Sequence, residues 1–383
     1  MEEISVLVSG AGVAGPSAAL WLARYGCAVT VVERAPAPRE GGQALDFKGR
    51  HQMTVLERMG VLDEVRRRQT GGTDQVVVDG DGRRLAVIPG EFTGGEVEIL
   101  RGDLAGLLHE RTRDRCEYVF GDSVTSLTEV PDGVLVTFER GEPRTYDLVV
   151  GADGIHSTVR RLAFGPEEEC VRFLGYHYAL ADLGGEGGGA MYNEPGRMIA
   201  AGGAGPALFV FASEDPELAR RDAATQKRAL LDVYAGMGWR TRELIARLPD
   251  APGFYLDSIS RVEIPRYTKG RVALLGDAAH GNTLGGFGNG LAVVGAYVLA
   301  GELAAAGGDH RVAFPAYDRT MHGYAKIARS GNAGPFLAPP TRWRIRMRNA
   351  MFNRRLMLRL MLTLTDRFAT DIVLKDYPLP RHA

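Results

Sequence analysis

The chain opens on an apolar run, Ile4 to Ser9, that breaks into Gly10-Ala11-Gly12-Val13-Ala14-Gly15 and resumes with helical apolar spacing from Ser17 to Arg24. A second apolar run, Ala28 to Val32, ends on Glu33. Strand, glycine turn, helix, strand and terminal acid in register describe a βαβ unit shaped around a dinucleotide, which narrows the fold more than any other feature of the sequence. Gly10 permits the tight turn, Gly12 lets the backbone approach a pyrophosphate, and Gly15 lets the helix lie close to the strand. The helix N-terminus, with the free N–H groups of this turn, favours the phosphate charge. Pro16 falls in the first helical turn, where a missing N–H costs least. Glu33, 18 positions after Gly15, brings a carboxylate to a strand end where it can accept hydrogen bonds from a ribose diol. On this unit alone, FAD and NAD(P) are both open.

A length of 383 residues exceeds the ~250–300 at which one core usually divides, so two closely packed domains are expected. The composition, 45% hydrophobic and 24% charged, is that of a globular chain, and the net charge of −1 gives no general attraction to nucleic acid. Cys27, Cys116 and Cys170 are widely separated, which fits a reducing cytoplasm better than a disulfide framework. The N-terminus is acidic and runs straight into a strand, so no signal peptide is expected, and no apolar run is long enough to span a membrane. His51, His109, His156, His177 and His280 lack metal-ligand spacing, so no metal site is expected. No Gly-x-Ser-x-Gly elbow is present, which removes the usual hydrolase reading.

Two further motifs follow in fixed order. After the run Asp147-Leu-Val-Val-Gly-Ala come Asp153-Gly154 and then Ser157-Thr158-Val159-Arg160; much later, Gly270-Arg271-Val-Ala-Leu-Leu leads into Gly276-Asp277-Ala-Ala-His280. The tract Gly285-Gly286-Phe287-Gly288-Asn289-Gly290 then opens an apolar helical stretch from Leu291 to about Leu303. With the N-terminal fingerprint, these motifs make the chain resemble the class A FAD-dependent aromatic monooxygenases, the family of para-hydroxybenzoate hydroxylase, and most closely its compact tetracycline-inactivating subgroup. The resemblance implies an α/β fold: a discontinuous Rossmann-type FAD-binding domain (1–72, 96–169 and 265–335), an inserted antiparallel-sheet substrate domain (73–95 and 170–264) and a C-terminal bracing helix (336–383). It implies FAD contacts at Gly10, Ala11, Gly12, Val13, Ala14, Gly15, Glu33, Arg34, Arg101, Val124, Asp153, Gly276, Asp277, Gly286, Gly288 and Asn289. Asp277 is expected on the ribityl chain and Arg101 on FAD. A nicotinamide nucleotide, NADPH rather than NADH, is expected at Asp153 and Arg160. This chain departs from many relatives by having Gly281-Asn282-Thr283-Leu284, without prolines, where the loop passes the flavin.

Between Cys170 and Val262 the pattern changes to short apolar runs: Val171 to Leu183, Gly189 to Tyr192, Arg197 to Ala201 and Ala207 to Ala212 are expected strands, with helical spacing from Glu217 to Met237. Tyr178, Met191, Tyr192, Phe209 and Phe211 are candidate cavity liners or core residues. His177 is a candidate for substrate deprotonation or a structural histidine. From Thr341 a basic helical stretch alternates arginines with Met347, Met351, Phe352 and Leu356; bracing between domains is favoured over a place on a membrane. The implied reaction takes NAD(P)H, dioxygen and an aromatic or polyketide-like small molecule through a flavin hydroperoxide to an oxygenated product, by a monomer or homodimer. A flavin-binding protein that sequesters a drug without turnover, and a flavin oxidase or dehydrogenase, are the alternatives. No second glycine fingerprint and no Trp-x-Trp-x-Ile-Pro stretch is present, against a two-dinucleotide-domain Baeyer–Villiger enzyme and a flavin halogenase.

Overall fold

The computed structural model describes residues 4–38, 41–42, 44–72, 74–90, 95–184, 189–203, 205–285, 288–326, 331–354, 357 and 373–378. Its first layer is a six-stranded sheet in the order Thr268–Lys269, Val272–Leu274, Leu148–Gly151, Ser5–Ser9, Ala28–Glu33, Glu117–Phe120. Five of these strands run parallel and the edge strand Thr268–Lys269 runs antiparallel. The central strands read as near-continuous apolar runs because helices cover the sheet. The helix Ala14–Arg24 packs against Gly288–Ala305, which in turn packs on His310–Tyr324. Within Gly288–Ala305, Leu291, Val293, Val294, Ala296, Tyr297 and Val298 are buried, so this helix forms the middle of the core rather than a surface stripe. A three-stranded meander, Val124–Val130, Gly133–Phe138 and Arg144–Tyr146, lies between Glu117–Phe120 and Leu148–Gly151 in the chain.

The second layer is a seven-stranded sheet in the order Tyr255–Val262, Val171–Ala181, Ala207–Ala212, Arg197–Ala201, Ala190–Glu194, Gln75–Val78, Arg84–Ile88. The expected antiparallel sheet has one parallel junction, between Ala190–Glu194 and Gln75–Val78, where the hairpin from the N-terminal half joins. One pairing is absent from the sequence reading: the edge strand Tyr255–Val262 lies beside Val171–Ala181. The expected helical region from Glu217 resolves into a short 3₁₀ turn, Pro216–Arg220, and the helix Ala223–Tyr234, capped by the Asp222 side chain. The strand period of two gives the sheet two different faces. One buries Tyr176, Tyr178, Met191, Met198, Val210 and Ile259; the other buries Ala179, Tyr192, Ile199, Phe209 and Phe211 beneath Leu230 and Tyr234 of the helix.

The helix Arg342–Phe352, capped by the Thr341 hydroxyl, packs on Arg84–Ile88 and Ala190–Glu194 at the sheet edge. Its buried Arg348 donates to the Phe336 and Leu337 carbonyls and to the Asn193 side chain. The tail 373–378 returns to the first layer, where the Tyr377 hydroxyl donates to Glu302 at 2.6 Å. The chain therefore crosses from the second layer back to the first at its C-terminal end, as a brace does. The expected helical residues Leu356, Arg359 and Leu360 lie outside the described residues.

Candidate active site

The three motifs end three parallel strands and meet at one edge of the first sheet. The Gly10 N–H donates to the Val32 carbonyl at 2.7 Å, Ala152 to Ser9 at 2.8 Å, and Leu275 to Gly151 at 2.8 Å. In open α/β sheets this carboxyl edge is where ligands bind. Gly10 sits at φ +106°, and a Cβ on it would stand 2.5 Å from the Ala152 carbonyl oxygen; on Gly15 it would stand 1.8 Å from that of Gly10. Both positions exclude any larger residue, so the turn is as tight as its sequence required. Ala11, Gly12 and Val13 continue this turn into the helix, which begins at Ala14.

Glu33 holds the turn in place: its carboxylate accepts from the Ala11 N–H at 2.8 Å through one oxygen and from the Ala35 N–H at 2.8 Å through the other. Each oxygen keeps a second lone pair for a ribose hydroxyl. Arg34 is exposed beside it. Val124 begins the first strand of the meander and is buried, and the preceding Gly121 and Asp122 N–H groups donate to Ala35 and Glu33. The adenosine side of the expected site is thereby assembled from 33–35 and 121–124.

Arg101, the first residue of the helix Arg101–Thr112, reaches the same turn. A Cβ on Gly12 would lie 3.3 Å from its guanidinium. Its charge also acts on Asp277 and Tyr178. Asp277 keeps an accessible side chain although protein surrounds it, as a group on the floor of a deep cleft does. Burial raises its pKa, and the Arg101 charge opposes that shift. Its carboxylate faces Gly288 at the N-terminus of the long apolar helix: a Cβ there would stand 3.1 Å from Oδ1. Gly276, at φ +61°, lies where the glycine turn, the Asp277 segment and this helix converge, with Ala14 and Ala292 within 3.2 Å of a Cβ there. Gly286 and the Asn289 side chain lie outside the described residues.

Asp153 and Arg160 serve the protein itself. Asp153 accepts from the Ser157 hydroxyl and from the Val159 N–H at 3.1 Å, fixing the start of the helix Thr158–Ala163. Burial raises its pKa and these bonds oppose the rise. Arg160 is 1% exposed and donates to the carbonyls of Ala278 and Ile155, so it ties the second motif to the third. In this structure the Arg160 guanidinium, expected on a nicotinamide nucleotide, is occupied by these internal bonds.

The sheet faces sort the substrate candidates. Tyr178 and Met191 lie on the face that also packs Leu284 of the loop after Asp277, whereas Tyr192, Phe209 and Phe211 lie on the opposite face under Ala223–Tyr234. Those three are core residues, because a strand cannot turn both sets of alternate side chains to one cavity. His177 belongs with them: it is fully buried between the rings of Phe173 and Phe211, and desolvation lowers its pKa to about 4. Its side chain lies on the side of the strand opposite Tyr178.

Sequence reasoning passed over Tyr255, Asp257 and His156. Asp257 pairs directly with Tyr178 across two strands, and Tyr255 lies two residues away on the same face. The Tyr255 hydroxyl donates to Asp257 at 2.7 Å, and the Tyr178 and Tyr255 rings lie against each other with centroids 5.9 Å apart. His156, just after the Asp153-Gly154 motif, contacts Asp257 at 3.1 Å through Nε2 and Glu167 at 2.9 Å through Nδ1. Hydrogen bonds donated to these two carboxylates, Asp257 first, push its pKa to about 10, so it is an imidazolium at neutral pH. The only sequence signal was an isolated His next to a motif, with its partner 101 residues away. The proline-free loop is pinned to the same strand: Val262 donates to Gly281 at 2.8 Å and Thr283 to Ser260 at 3.0 Å, leaving Leu284 at φ +57°. Among the described residues no group of three or more His, Cys, Asp or Glu is placed to hold a metal, and no helix is long and apolar enough to cross a membrane.

Glu33, the glycine turn, Arg101 and Asp277 follow one another through these contacts and offer, in order, a diol acceptor, N–H groups, a cation and a second polyol acceptor. That sequence of groups fits an extended dinucleotide with a sugar-alcohol chain, which FAD has and NAD(P) lacks. The comparisons agree. Residues 3–171 match the FAD binding domain family. An uncharacterized protein of Mycobacterium tuberculosis is 39% identical over 343 residues, covering 84% of this chain and 91% of its own. A flavin-dependent monooxygenase of Legionella longbeachae is 37% identical over 344 residues, covering 84% of this chain and 86% of its own. The crystal structure of the tetracycline destructase Tet(55) superposes with a TM-score of 0.83 at 32% identity, over 98% of this chain and 100% of its own. Site geometry, family match and relatives converge: the chain belongs to the FAD-dependent monooxygenases of the para-hydroxybenzoate hydroxylase fold.

Proposed function

We propose that this enzyme uses NADPH and dioxygen to place one oxygen atom on an electron-rich ring or enol of a polycyclic, polyketide-like molecule of tetracycline type, in the cytoplasm. The observation that carries the reading is the Tyr178 face: an apolar wall with Met191, Met198 and Leu284, and a Tyr178 hydroxyl on which the charges of Arg101 and Asp277 act. Likeness to a tetracycline destructase along nearly the whole chain supports the substrate class. Three buried, unpaired cysteines support the compartment.

The glycine turn and Glu33 bind the adenosine diphosphate portion, Arg101 balances its charge, and Asp277 orients the sugar chain. Bound FAD supplies the electron transfer to dioxygen that side chains do not provide. The apolar wall excludes water and holds the ring to be attacked. The Tyr178 hydroxyl, on which the Arg101 and Asp277 charges act, is the group of this wall that would hydrogen-bond the phenol or enol of the substrate. Product mass spectrometry after incubation with NADPH and a panel of polycyclic phenols and polyketide antibiotics tests the proposal. A product heavier by one oxygen is expected. Tight binding of a panel member with no NADPH consumption and no product would instead make the protein a sequestering one.

A further inference from the structure

The helix Arg342–Phe352 has two unlike faces. Ile345, Arg348, Asn349 and Phe352 are buried and brace the sheet edge. The other face carries Trp343 at 66% and Met347 at 44% exposure, interleaved with exposed Arg342, Arg344 and Arg346. This surface continues onto the adjoining edge strand Arg84–Ile88, to which Asn353 is tied by a 2.9 Å hydrogen bond to the Leu85 carbonyl. There Arg84 is exposed and Leu85 is 44% exposed. Among the described residues, none of Arg84, Arg342, Arg344 and Arg346 has an ion-pair partner. From Pro335 to Thr365 the sequence has seven arginines and no acidic residue, in a chain whose net charge is −1.

Apolar side chains held in water beside uncompensated cations are the surface chemistry of a helix that lies at a lipid interface. We propose that this face seats on an anionic phospholipid surface, with the arginines on lipid phosphates and Trp343, Met347 and Leu85 at the headgroup boundary. A second copy is a poorer occupant, because a two-fold contact sets the same patch against itself and brings these cations together. The sequence reading expected a brace and no membrane partner; the buried face provides the brace, and the exposed face is what remains to be matched. The proposal is independent of the substrate and of turnover.

The test is co-sedimentation of the full-length, FAD-loaded protein with large vesicles of phosphatidylcholine, alone or mixed with phosphatidylglycerol. Pelleting with the anionic vesicles only, weakened by salt, is expected. The triple variant Arg342→Gln, Arg344→Gln, Arg346→Gln should partition roughly a hundredfold more weakly. Trp343→Ser should weaken binding and abolish the vesicle-induced blue shift of tryptophan emission, and Trp343→Phe should restore binding. Both sites are on the surface, so retained flavin colour in each variant separates lost binding from lost fold. The proposal is overturned if the protein stays in the supernatant with both vesicle types, or if the triple variant pellets like the parent. It is also overturned if heparin binds equally well with no effect of Trp343→Ser. A dimer that Trp343→Ser dissociates, without vesicle binding, would give the face to a second copy.

Discussion

At the scale of single residues, charge and burial divide the site between groups that meet a ligand and groups that only hold it together. Glu33 and Asp277 are of the first kind, since each presents carboxylate lone pairs along the path of the cofactor. A hydrogen bond to a charged group contributes ~1.5–3 kcal/mol, so Glu33→Ala and Asp277→Ala should each weaken FAD by roughly ten- to a hundredfold in a titration of the apoprotein followed by flavin fluorescence. Flavin retention equal to the parent in both variants would remove these roles. Arg160 is of the second kind, and Arg160→Gln is expected to destabilise the junction of the second and third motifs while leaving the preference between NADPH and NADH unchanged. His156 gives a pH signature. Its folded pKa of about 10 exceeds the 6.5 of a free imidazole, so its pairing with Asp257 and Glu167 stabilises fully below pH 6.5 and is lost as pH rises through about 10. The gap in Tm between the parent and His156→Gln should accordingly be widest near the acidic side of neutrality and close toward pH 10. A gap that stays constant over that range would show that the imidazolium contributes nothing. The same pair loses strength again in acid, as Asp257, held below its ordinary pKa by His156, takes up a proton.

Secondary-structure elements mark the boundary of what the sequence makes readable. The βαβ unit is legible because its main constraint is local: Gly15 lies against the Gly10 carbonyl five residues earlier, where no side chain could fit, whereas the room that Gly10 leaves for Ala152 is a long-range contact. The sheet is legible as a set of strands but not as a set of faces. Which of Tyr178 and His177 meets the cavity depends on pairing register and on what covers each side, and the register shifts at a bulge between Phe173 and Tyr176. Tyr255–Val262 was passed over because Asp257, Ser258 and Ser260 interrupt its apolar pattern; all three are buried by partners far away in the chain. The faces make opposite predictions. Phe209→Ala should cost ~3–5 kcal/mol in chemical denaturation, as expected for an aromatic removed from a core, with little change in KM. Met191→Ala should instead raise KM for the substrate at a smaller cost in stability. A KM effect from Phe209→Ala equal to that from Met191→Ala would place both side chains on one cavity and refute the assignment of faces. Arg348 makes the brace itself testable: Arg348→Met leaves the Phe336 and Leu337 carbonyls without their donor, a loss of ~1–3 kcal/mol in the same denaturation experiment.

At the scale of the whole molecule, two layers enclose one reaction. The first layer gathers three strand ends into a dinucleotide path, and the second lays a mixed apolar and tyrosine-bearing face beside it. His156 and Asp257 join the layers by an ion pair, and the loop 281–284 joins them by backbone hydrogen bonds. Such an enclosure matters for a monooxygenase because water competes for every reactive species, and the fate of the second oxygen atom reports on how well it is excluded. If the reaction is oxygen transfer within this enclosure, one atom of the product must come from dioxygen and none of the new oxygen from solvent. Turnover under heavy-isotope dioxygen in ordinary water should therefore add one labelled atom, and the reciprocal experiment in labelled water should add none. Label arriving only from water would mean dehydrogenation followed by hydration, and would sink the monooxygenase assignment for the chosen substrate. Tyr178→Phe removes the hydroxyl on which the Arg101 and Asp277 charges act while preserving the apolar wall. In that variant the label should still enter from dioxygen, but less product should form per NADPH consumed, with the difference recovered as hydrogen peroxide, and the loss should be greatest at low pH, where a phenolic substrate most needs its proton removed. Unchanged coupling across the pH range would show that the Tyr178 hydroxyl has no part in the chemistry.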